Sequence, residues 1–147
     1  MVRRTTMRRN TEYKLVQESY HGDAWRVVIS SILLNRTTGE QVKSVVDEFF
    51  RHWPTPKCVK EEDLPKMVET IRSLGLMNRR SKMIIRLAAE WVANPPSSID
   101  ELSKMHGIGW YALESYRIFV EGKMDFEPTD GVLKSYVERK RNEQRER

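Results

Sequence analysis

Two short stretches of this chain carry residue types suited to chemistry on a nucleic acid. In Met105-His-Gly-Ile-Gly109, two glycines sit between helical patterns. Gly107 can take a left-handed backbone angle just past a helix end. Gly109 lets the chain pass close to a ligand as the next helix begins. The free N–H groups at that helix start, together with its dipole, favour an anion such as a phosphate. About ten residues beyond the second helix comes Pro128-Thr-Asp130, a carboxylate placed to open another helix. A helix N-terminus stabilises an ionised carboxylate, which is the form needed to face a developing sugar cation. The pairing suggests an enzyme acting on DNA. Each stretch also has an ordinary structural use, the glycines as a C-cap between packed helices and Asp130 as an N-cap.

The elements that must position these residues read as helices almost throughout, with no sustained strand alternation. Asp23 caps a helix with the buried stripe Trp25, Val28, Ile29, Ile32 and Leu33. Thr38-Gly-Glu-Gln41 is a capping box before Val42, Val45, Val46, Phe49 and Phe50, and Pro54 and Pro56 end that helix. A third runs through Leu64, Met67, Val68, Ile71 and Leu74 to Gly75, and Asn78 caps a fourth carrying Ile84, Leu87, Ala88 and Trp91. Ser98-Ile-Asp-Glu101 is a second capping box, opening the short first helix of the hairpin; its partner spans about Gly109 to Val120. A last helix begins near Asp130 and fades after Val137. The expected architecture is all-α and single-domain: a basic disordered arm over 1–10, a helical domain over 11–139 and a charged tail over 140–147.

Composition narrows the function classes. The net charge of +5 is concentrated at the ends. Residues 1–10 carry four arginines and no acid, the last ten hold five bases against three acids, and the stretch between is close to neutral. Basic ends favour a polyanion partner, although solvated tails have the same composition. Cys58 is the only cysteine, which excludes an intramolecular disulfide, a four-cysteine zinc site and a four-cysteine iron–sulfur cluster within the chain. His21, His52 and His106 lack helical i, i+4 spacing, so no metal site is expected. The uncharged run Val27 to Asn35 is too short to span a bilayer, and no secretory signal is apparent. The expected location is intracellular: the nucleus in a eukaryote, the cytoplasm or nucleoid in a prokaryote.

Several blocks in order, Leu15-Val-Gln-Glu18, Leu34-Asn-Arg-Thr37, Leu74-Gly-Leu76, His106-Gly-Ile-Gly109 and Ser115-Tyr-Arg-Ile-Phe119, resemble the helix-hairpin-helix DNA glycosylases. That is the superfamily of endonuclease III and the adenine mismatch glycosylase. Within it, residues from roughly Tyr13 to Val137 most resemble the glycosylase domain of the methyl-CpG-binding thymine glycosylases. The resemblance implies the helix-hairpin-helix glycosylase fold, here without an iron–sulfur cluster, and no cofactor. It assigns Asp130 as the catalytic aspartate. Tyr111 stands where bifunctional relatives carry the Schiff-base lysine, so base removal without strand cleavage is implied, with Tyr111 lining the base pocket. Gln17 matches the residue that reads the expelled pyrimidine. Arg36 and Leu76 match side chains that enter the duplex, and His106, Gly107, Ile108 and Gly109 match the phosphate-gripping hairpin. Ordinary roles would be an exposed helix position for Gln17, core for Tyr111, a surface cation for Arg36 and a C-cap contact for Leu76.

The implied reaction is excision of thymine or uracil opposite guanine, leaving an abasic site for downstream repair enzymes. The implied partner is double-stranded DNA with G·T or G·U mismatches, met by a monomer without membrane association. The sequence departs from the family where Trp110 replaces a common basic residue and Gly131-Val132 replaces a polar pair; no methyl-CpG-binding domain is present. Three alternatives stay open: a non-catalytic DNA-binding module, a glycosylase for another damaged base, and a helical protein-interaction domain.

Overall fold

The computed structural model describes residues 14–146. Seven α-helices are joined by short turns and 3₁₀ segments: α1 (Ala24–Leu34), α2 (Gly39–His52), α3 (Leu64–Thr70), α4 (Met77–Ala93), α5 (Ile99–Ser103), α6 (Trp110–Phe119) and α7 (Gly131–Arg145). No strand occurs among the described residues, so the expected all-α class holds. No described helix is long and apolar enough to cross a membrane. The basic arm over 1–10 lies outside the described residues.

The centre of the fold is α1. Eight of its eleven residues are buried, including both serines. A helix apolar on nearly all sides has to be surrounded, and α1 contributes to two packed clusters. Val28, Ile29, Ile32 and Leu33 join Phe49, Met67, Ile84, Leu87, Trp91 and Leu102. On another face Val27 meets Ile118, Phe119, Leu133, Tyr136 and Val137, which fixes α6 and α7. The tryptophans expected in the core are there: Trp25 meets Trp91 edge-on at 5.5 Å, and its Nε1 donates to the Trp53 carbonyl at 3.3 Å.

Local capping follows the sequence at most helix starts. Asp23 accepts from Arg26 N at 3.1 Å, and Thr38 and Gln41 form a reciprocal box. Ser98 accepts from Glu101 N, but the Glu101 carboxylate bonds the N–H and hydroxyl of Ser97 instead, so the second box is only half formed. Three expectations require correction. Asn78 lies inside α4 and caps nothing; the N-cap is Leu76, in a left-handed conformation at φ 52°. The third helix stops at Thr70, and Arg72–Leu74 is a separate 3₁₀ turn before Gly75 at φ 79°. The last helix continues to Arg145 rather than fading after Val137. Arg141 explains part of that extension, because its guanidinium donates to the carbonyls of Met124 and Phe126 and ties the helix to the preceding loop.

Candidate active site

Gln17, Tyr111 and Asp130 are scattered over more than a hundred positions, yet they line one cavity of ≈ 640 Å³. That volume lies within the ~300–1,000 Å³ usual for small-molecule sites. Each residue comes from a different element. Gln17 sits on the 3₁₀ turn Val16–Tyr20, Tyr111 on the first turn of α6, and Asp130 on the N-cap of α7. Leu34, at the end of α1, and Arg36 and Thr37, from the turn after it, complete one wall.

Gln17 is not the exposed helix residue of its ordinary reading; it is 1% exposed. Its Nε2 donates to the Tyr111 hydroxyl at 2.9 Å and to Ser115 Oγ at 3.2 Å. Both amide protons are thereby used, and Oε1 is left buried without a partner. A buried acceptor without a partner is costly, and Gln17 is among the residues that line the cavity. Tyr111 is half-buried: it packs against the cluster around Val27 and Phe119 and lines the cavity as well. The lining residues include no lysine.

Asp130 does hold its expected structural place, since Oδ2 accepts from Leu133 N at 3.0 Å and caps α7. What the sequence reading missed is the group behind it. Glu114, on α6, is 6% exposed. Its Oε2 accepts from Thr129 N at 2.8 Å and Thr129 Oγ1 at 2.9 Å, and its Oε1 accepts from Asp130 N at 3.3 Å. One buried carboxylate thus fixes the backbone that presents the other.

A second concavity, ≈ 490 Å³, shares Asn35, Arg36 and Tyr111 with the first. Its lining brings together Leu76, Arg79 and Arg80 at the start of α4 with Gly107, Ile108 and Gly109 of the hairpin. His106 is not among the lining residues; it is half-buried, and its N–H donates to Glu90 Oε1 at 2.9 Å. Three arginines and no carboxylate line this groove. Neither α4 nor α6 has a side-chain cap, and the first helical bond of α6 is Leu113 N to Gly109 O. Two positive helix ends therefore open on the same groove.

The two hairpin glycines differ in what requires them. Gly107 has φ 80°, and a Cβ there would lie 2.5 Å from Met83 Cγ. Packing and backbone geometry both demand glycine at that position. Gly109 has φ −116°, and a Cβ would meet nothing within 4 Å. The fold itself therefore does not require a glycine at position 109.

Arg36 and Leu76 are the only non-glycine residues at positive φ among those described, at 66° and 52°. Both are exposed and both line the groove. Left-handed non-glycine residues cost free energy and persist where the surroundings over-determine them. Arg80, 3% exposed and also missed from sequence, supplies part of that constraint. Its Nη1 donates to the Leu33 carbonyl at 3.3 Å and its Nη2 to the Asn35 carbonyl. It stands one turn beyond Leu76, with its own N–H bonded to the Leu76 carbonyl at 2.9 Å. Burial lowers its pKa from the ordinary value, but a guanidinium stays charged. Arg80 thus ties the Arg36 turn to the Leu76 turn.

A third groove, of ≈ 580 Å³ along α7, is lined by Glu138, Glu143 and Glu146 and has no comparable convergence of cations.

A buried helix ringed by others, a glycine hairpin and an acid at the next helix start define a helix-hairpin-helix domain. The family model described as "HhH-GPD superfamily base excision DNA repair protein" matches residues 29–146, and the chain belongs to that superfamily. It is 36% identical over 126 residues to a methyl-CpG-binding domain protein 4-like protein of Arabidopsis thaliana, covering 83% of this chain and 27% of the relative. It is 34% identical over 93 residues to a thymine-DNA glycosylase of Aeropyrum pernix, covering 60% and 42%. The chain thus spans about a quarter to under half the length of these curated relatives. Among solved structures, a thermostable thymine-DNA glycosylase superposes with TM-score 0.69 at 23% identity, over 76% of this chain and 52% of its own. An endonuclease III trapped as a covalent intermediate with DNA gives TM-score 0.66 at 24% identity, over 76% and 54%. Both share the fold.

Proposed function

We propose that the protein is a monofunctional DNA glycosylase that flips thymine or uracil out of G·T and G·U mispairs and hydrolyses its glycosidic bond. The observation that carries this reading is the shared cavity of Gln17, Tyr111 and Asp130 beside the arginine-lined groove. Duplex DNA would lie along the groove, its phosphates on the hairpin amides and arginines. One nucleotide would turn into the cavity. Unstacking costs a few kcal/mol, and less at a mispair, which favours mismatched sites. Arg36 and Leu76 would occupy the vacated space and offset that cost.

In the cavity, Gln17 Oε1 would accept from the ring imide N–H of thymine or uracil. Cytosine has a bare acceptor at that ring nitrogen, so it would leave Oε1 unsatisfied. As the glycosidic bond stretches, positive charge grows on the sugar and negative charge on the leaving base. Asp130 would stabilise the former and orient the water that captures it. The products are the free base and an abasic site. A phenol cannot form an imine, and no lysine lines either cavity. Their lining thus supports base removal without Schiff-base strand cleavage. The relatives named for thymine excision support the same substrate class.

The deciding experiment incubates the protein with duplexes bearing single G·T, G·U or damaged-base sites and cleaves abasic products with alkali. Release from G·T and G·U, without spontaneous nicking or borohydride trapping, is expected. Salt-dependent binding with no release from any duplex would reduce the protein to a binding module. Borohydride trapping of the unmodified protein would end the monofunctional assignment.

A further inference from the structure

Trp110 is 75% exposed, whereas the other three tryptophans, Trp25, Trp53 and Trp91, are 4%, 2% and 7% exposed. It is the first residue of α6, adjacent to Gly109, and it lines the groove with Leu76, Arg36 and Arg79. Nothing in the packing accounts for an indole at that position. The groove is cationic without a compensating acid, so its complement is a polyanion. A phosphate on the uncapped start of α6 would carry its own deoxyribose within an indole's reach. That sugar has an apolar face, and an aromatic ring packs on it without any charge.

We propose that Trp110 is a strand-contact residue whose indole packs on the deoxyribose beside the phosphate held by the hairpin amides. This rests on the DNA-binding reading of the groove. A neutral contact releases no counterion, so it adds affinity that does not decline with salt, unlike a lysine or arginine contact. The partner is duplex DNA of any sequence, because every nucleotide presents the same sugar.

Two measurements test it, both on the full chain with Asp130→Asn to prevent turnover. In the first, affinity for a matched duplex is followed against salt for the parent, Trp110→Ala, Trp110→Phe and Trp110→Lys. Trp110→Ala should weaken binding about tenfold with the salt slope unchanged, and Trp110→Phe should restore most of it. Trp110→Lys should bind well at low salt with a slope steeper by about one. In the second, acrylamide quenching of tryptophan fluorescence should lose its accessible component on DNA binding, since the other three indoles are buried. Equal affinity of the parent and Trp110→Ala, or an indole still open to acrylamide in the complex, overturns the proposal. A loss confined to duplexes with an abasic site also overturns it, in favour of stacking on an unpaired base. If the parent binds no duplex, the DNA reading of the groove fails instead; base release by unmodified protein with an inert Trp110 fails only this contact. Because the side chain is exposed, none of these variants should shift the thermal midpoint.

Discussion

The two concavities that meet at Asn35, Arg36 and Tyr111 follow opposite electrostatic plans. The cavity holds Asp130, with Glu114 buried behind it, and its amide donors are already bonded within the protein. The groove holds three arginines and two helix ends whose amides have no side-chain cap. On the proposed function, the first would receive a neutral base and a sugar that becomes positive, and the second would hold phosphates. The two left-handed non-glycine residues fall at the join: Leu76 lines the groove alone, and Arg36 stands in the wall that both concavities share. A site working in that way would separate chemistry from grip by the one wall they share.

The largest effect that would test this division comes from Asp130. Asp130→Asn keeps an N-cap, because asparagine serves there as well as aspartate, so folding should be unchanged. Base release in single-turnover assays should fall at least about a thousandfold while mismatch binding persists. Turnover near the parent level would remove Asp130 from the chemistry. Glu114→Ala is next. It removes the acceptor shared by three donors, Thr129 N, Thr129 Oγ1 and Asp130 N. Because Thr129 is exposed and water replaces part of the loss, roughly 1–2 kcal/mol by thermal unfolding and a fall in kcat are expected. Glu114→Gln, which keeps one acceptor oxygen, should recover part of both stability and kcat.

The hairpin glycines should separate fold from grip. Gly107→Ala forces a left-handed alanine against Met83, and about 2 kcal/mol of stability should be lost. Gly109→Ala meets open space, so its melting temperature should match the parent's while DNA affinity drops. Equal melting losses in both variants would refute the distinction. The smallest effect concerns the groove charges. Arg79→Gln should weaken binding evenly across sequences and flatten the salt slope by about one, with kcat on bound mismatch unchanged.

Much of the scaffold was legible because helix starts are written locally. Asp23, Thr38, Ser98 and Asp130 cap the helices that their spacing foretold. Asn78 misled because the real start of α4 relies on a left-handed Leu76 that no local propensity favours. Arg80 and Glu114 left a signal that went unread. Arg80 lies one turn before Ile84 on the buried stripe of α4, and Glu114 sits beside buried Ser115 and Tyr116. A charge on an apolar face must find partners, and both do.

What the amino-acid order determined by itself was the set of helices, the hairpin that joins two of them and the acid that opens the last. These depend on contacts within a few residues, which spacing encodes. Only the tertiary structure decided that Gln17 would give its amide protons to Tyr111 and Ser115, across 94 and 98 positions, and leave its oxygen buried without a partner. It alone brought the Arg36 and Leu76 turns together through Arg80. Burial around α1 sets those long-range meetings, and burial is a property of the packed chain rather than of any segment.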